Sequence, residues 1–74
     1  MTYKDYFVWA EEYRLQIGVL NEKIQKRLAV RKEMSVNSYD NEMILASLYE
    51  MRRECESTYR ILRSKAEDIM RQEA

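Results

Sequence analysis

The chain reads as all-α: an antiparallel hairpin of two long, coiled-coil-like helices, expected to pair with a second copy into a dimeric four-helix bundle. Three observations carry this expectation. The 74 residues include one glycine and no proline, the two main punctuators of turns. Apolar side chains recur every three or four positions along two long stretches, which keeps one stripe of each helix facing one neighbour. The only cluster of turn-forming residues, Ser35-Val36-Asn37-Ser38, falls halfway along the chain.

Residues 1–74 are expected to form a single domain, with helix one over about 3–34, a turn over about 35–38 and helix two over about 39–72. Thr2 is a suitable N-cap for the first helix, with Asp5 three residues later in the acidic place of a capping box. The stripe that follows is Tyr3, Tyr6, Ala10, Tyr13, Ile17, Leu20, Ile24 and Leu28, and Met34 is expected to extend it. Gly18 sits inside this pattern at a cost of about 1 kcal/mol relative to alanine. Either it is simply tolerated there, or it permits a close backbone approach or a slight bend.

Helix two starts from one of two caps, Asn37 with Asp40 or Ser38 with Asn41. Its stripe runs through Leu45, Leu48, Cys55, Tyr59, Leu62, Ala66 and Ile69, broken only by Arg52. Arg52 is expected to lean its stem over Leu20 or to pair with Glu22. Folding at the turn puts residues face to face when their numbers sum to about 72. Large residues then meet small ones, as in Ala10 with Leu62 and Tyr6 with Ala66. Charge agrees: Lys23 to Lys32 lie opposite Asp40, Glu42 and Glu50, while Glu11 and Glu12 lie opposite Arg60, Arg63 and Lys65.

A chain this short stabilises itself poorly without a disulfide, a metal or a partner subunit. Its lone cysteine forms no internal disulfide, and it has no histidine for an ordinary zinc site. Self-association is the remaining addition. The run Tyr6-Phe7-Val8-Trp9-Ala10 cannot be buried on one helical face, and Leu15, Val19, Val30, Ile44, Met51 and Ile61 widen or leave the stripes. The candidate protein-contact residues are therefore Tyr6, Phe7, Trp9, Ile44, Leu48 and Met51, and the expected partner is a second copy, with an unidentified protein as the other occupant.

Turnover is not expected. Without histidine there is no imidazole base and no Ser-His-Asp or Cys-His nucleophile. Cys55 reads as a small hydrophobe on the apolar stripe. Glu50 and Glu54 share a face but read as solvated charge, so no cofactor or metal is expected. Thirteen basic residues balance 13 acidic ones, which removes any general attraction to nucleic acid or anionic lipid. The local cluster Lys23, Lys26, Arg27, Arg31 and Lys32 keeps a nucleic-acid-associated regulator as the alternative. No stretch has the length and apolarity of a membrane span or an export signal, so the expected location is the cytoplasm. The function expected is non-enzymatic: self-association and protein–protein interaction in a scaffolding or regulatory role.

Overall fold

Thr2 begins the first helix by bonding in both directions with Asp5. In the computed structural model, which describes residues 2–33 and 38–73, the Asp5 amide donates to Thr2 Oγ1 at 3.3 Å. The Thr2 amide donates back to Asp5 Oδ2 at 2.9 Å, and the Thr2 hydroxyl donates to the same oxygen at 3.2 Å. These bonds hold the Asp5 carboxyl below the usual carboxylate range, the backbone amide being the larger cause. From this cap, α1 runs over Tyr3–Glu33.

Ser38 starts the second helix. Its hydroxyl accepts from the Asn41 amide at 3.4 Å, and its carbonyl accepts from Glu42 N at 3.0 Å. Of the two caps read from the sequence, this is the one seen. The other involves Asn37, which lies outside the described residues, as do Ser35, Val36 and the expected extension of the stripe through Met34. From Ser38, α2 continues over Tyr39–Glu73.

The helices pack antiparallel as a hairpin 58 Å long and 14 Å across. Bonds across the seam fix the register. Arg52 Nη1 donates to Asn21 Oδ1 at 2.9 Å, and the Cys55 thiol donates to Gln16 Oε1 at 3.7 Å. Near the turn, Arg31 pairs with Glu42 at 3.2 Å. All three pairs keep to the register in which facing numbers sum to about 72.

The core is the seam itself. Leu20, Ile24, Leu45 and Leu48 form its densest cluster, with Leu28 and Cys55 packed on it. Ala10, Leu62 and Ala66 are buried toward the open end, where the small side chains let the helices approach. Tyr3, Tyr6, Tyr13, Ile17, Tyr59 and Ile69 are half-buried at their expected stripe positions.

Two expectations are corrected, one open alternative closes and one buried residue is added. Gly18 makes no close approach, because a side chain there would meet nothing within 4 Å. Arg52 bonds Asn21 rather than Glu22, stacks over the Tyr49 ring at 5.1 Å and lies 3.9 Å from Glu56. At the open end, charges are satisfied along each helix instead of across the hairpin. Glu11 pairs with Arg14, Arg60 with Glu56, and Arg63 with Glu67. A residue three or four positions away on the same helix lies nearer than one across a packed seam. Finally, Asn41 is buried at 5% exposure on the core stripe. Its Nδ2 donates to the Arg27 carbonyl at 3.2 Å, while its Oδ1 has no partner among the described residues.

Candidate contact surface

The two flanks of the hairpin differ in chemistry. One flank carries a chain of ionic and aromatic contacts along the seam. Arg52 bridges Asn21, Tyr49 and Glu56, and Glu56 reaches on to Arg60. Further along, Arg63 donates to the Tyr59 hydroxyl at 3.2 Å, pairs with Glu67 and covers the Phe7 ring at 5.5 Å. The bond from Tyr59, ahead of the charge of Glu67, holds the Arg63 guanidinium above its ordinary range. Arg14 similarly holds the Glu11 carboxyl below the usual carboxylate range.

The opposite flank is apolar. Leu15, Val19, Leu20, Met51 and Cys55 border an open groove of about 440 Å³, with Gln16, Lys23 and Glu54 at its margins. Toward the turn, Val30, Ile44 and Leu48 line the next depression with Lys23, Lys26 and Arg27. Shared residues join these depressions to a third, formed by Met43, Ile44, Ser47, Leu48 and Met51. Val19 and Met51 are each 51% exposed and Ile44 38%. Trp9 and Ile61, both exposed, stand one heptad from the marginal groove residues Gln16 and Glu54 and so fall on the same side of their helices toward the open end.

This geometry sorts the contact residues read from the sequence. Ile44, Leu48 and Met51 share one depression. Leu48 is buried in its own hairpin's core and offers only an edge, whereas Ile44 and Met51 project. Trp9 is 41% exposed and stacks on Tyr6, ring centroids 6.5 Å apart. Phe7 is half-buried on the charged flank, edge-on to Tyr3 and beneath Arg63. Leu15, Val19, Val30 and Ile61, although visible in the sequence as surplus hydrophobes, were not among those contact residues. Their membership of the flank emerges only when both helices are placed in register.

The basic cluster does not form one stripe. Lys23, Lys26 and Arg27 line the turn-side depression, Arg31 is paired with Glu42, and Lys32 lies exposed a quarter-turn from Arg31. Among the described residues, no three Cys, Asp or Glu side chains are placed to share a metal ion, and no helix is long and apolar enough to cross a membrane. Glu50 and Glu54 instead border an open polar depression with Arg53 between them. No family model, curated protein sequence or solved structure matches this chain.

Proposed function

We propose that the hairpin is a non-enzymatic self-association module that dimerises through its apolar flank into a four-helix, coiled-coil-like bundle, with a scaffolding or regulatory role. The uncovered strip from Trp9 through Val19 to Ile44 and Met51 supports this reading most directly. Side chains of this size left in water in a connected patch are characteristic of contact surfaces. A flank of 58 by 14 Å projects about 800 Å², close to the area each partner contributes to a standard interface. The second copy would turn a core one layer thick into one shared by four helices. An unpaired thiol at the seam fits a reducing compartment such as the cytoplasm.

Nucleic-acid association has weaker support, because Arg31 is already engaged and Glu22, Glu33 and Glu54 dilute the positive field around Lys23 and Lys26.

Sedimentation across micromolar concentrations tests the proposal. The expected mass is twice the 9.0 kDa of one chain, and Ile44→Ser with Met51→Ser should move it toward the single-chain value. A folded single copy at every concentration would refute self-association. Salt-dependent anisotropy with labelled DNA or RNA would favour the regulator instead.

A further inference from the structure

We infer that the second copy docks with its turn at the opposite end of the assembly, each helix lying antiparallel on its own counterpart. This orientation rests on the self-association proposed above and goes beyond it.

A two-fold interface must be self-complementary: if residue i of one copy meets residue j of the other, j also meets i. Two axes can bring the apolar flanks together. An axis along the helices keeps both turns at one end and lays α1 on the other copy's α2. An axis across the helices sends the turns to opposite ends, laying α1 on α1 and α2 on α2.

The pairings separate these choices. With the axis along the helices, Lys26 falls over Ile44 and Ser47, while Glu12 falls over Thr58 and Ile61, so both charges face uncharged side chains. With the axis across the helices and α1 centred at Val19, Lys26 meets Glu12 and Trp9 meets Val30. On α2, Ile44 meets Ile61, Ser47 meets Thr58 and Asp40 meets Lys65 when the centre falls between Arg52 and Arg53. The two centres are chosen independently, one from each helix. The hairpin nevertheless brings them level, because Asn21 bonds Arg52 and Gln16 bonds Cys55 across the seam. One axis therefore serves both helices. Lys23 by Leu15 and Glu54 by Met51 lie against apolar side chains in this orientation, so they do not favour it; Lys26 with Glu12 and Asp40 with Lys65 do. Asp5 falls level with Glu33, a like-charge pair at the exposed margin where solvent screens it.

Lys26 and Glu12 are 14 positions apart on one straight helix, about 21 Å, and cannot pair within a copy. A charge swap therefore reports only on contact between copies. Lys26→Glu or Glu12→Lys alone is expected to weaken self-association about tenfold, and the double swap to restore it. Spin labels on Lys4→Cys, in a Cys55→Ala background, give a second reading. The turn-opposed dimer separates them by about 45 Å along the axis, against about 20 Å when the turns lie together. The charge swap retains the native cysteine, so it stands if the label background folds poorly. A dimer with restored affinity and the long distance supports the inference. A dimer without rescue and with the short distance overturns this orientation alone. A single copy throughout overturns the self-association on which it rests.

Discussion

Replacing Asn41 by leucine should make the protein more stable, although it deletes a hydrogen bond between the helices. Asn41 is buried with Nδ2 on the Arg27 carbonyl at 3.2 Å and Oδ1 without a partner among the described residues. A buried acceptor without a partner costs about 1–3 kcal/mol, while the bond it accompanies contributes about 0.5–1.5 kcal/mol. Arg27 lies well inside α1, so its carbonyl keeps its helical bond and is not orphaned by the change. Leucine adds about 1.5–3 kcal/mol of apolar burial beside Leu45 and Leu28. Its greater bulk returns about 1–3 kcal/mol. Taken at their midpoints these terms leave a net gain of about 1 kcal/mol. Urea unfolding followed by far-ultraviolet circular dichroism, at one fixed protein concentration, reads this directly. With a slope near 1 kcal/mol/M for a small chain, the midpoint should rise by about 1 M. A fall of more than about 0.5 M, at unchanged slope, would mean that the amide is satisfied and that the polar layer stabilises the seam. The cost of leucine is expected in register, because a single buried amide in an apolar seam disfavours slippage by a heptad.

Three further predictions follow from local structure. Gly18→Ala, in the middle of α1 with open space around it, should stabilise the hairpin by about 1 kcal/mol in the same urea assay. Ile24→Ala should cost about 2–5 kcal/mol, because Ile24 is the most deeply buried large side chain and its cluster has few members to close the gap; thermal unfolding measures this. For pH, the folded values of Asp5 and Glu11 are both lowered, so their contribution is present above the ordinary values of 3.8 and 4.5 and is lost as pH falls through the folded ones. Thr2→Ala removes the hydroxyl but keeps the backbone amide, the larger cause, so it should move the Asp5 titration only part of the way toward 3.8 in a carboxyl-detected NMR experiment while leaving Glu11 where it is. An unmoved Asp5 would contradict the capping geometry.

The seam was legible in the sequence because nearly all its members are apolar at the right interval. Tyr3 through Leu28 and Leu45 through Ile69 announce one face each, and only a fold-back at a single turn brings those faces together. Asn41 escaped this reading because polarity hid it, although it stands four residues before Leu45 and seven before Leu48 on the same stripe. The Arg52 partner was misread for a related reason. Charge singled out Glu22, yet a step of one residue rotates a side chain about 100° around the helix, and Asn21 is the neighbour turned toward Arg52. The open-end ion pairs were drawn across the hairpin because opposite charges face one another there by number. Partners one turn away intervened. The division into an ionic and an apolar flank was less accessible still, since it depends on the relative rotation of two helices. Each sequence taken alone shows only surplus hydrophobes around its circumference.

A rod with one layer of core has no deep interior, so each turn of helix is secured only by the turns beside it. Loosening should accordingly travel as fraying rather than as a single event. The turn-side third, around Ile24 and Leu45, holds the largest apolar cluster, whereas the far third relies on Ala10, Leu62, Ala66 and partly wetted tyrosines. Amide exchange should therefore form a gradient, fastest near Tyr3 and Glu73 and slowest where Leu20 meets Leu48. A protease would trim such a molecule from its tips inward, leaving a shortened remnant still zipped where Leu20 and Ile24 meet Leu45 and Leu48.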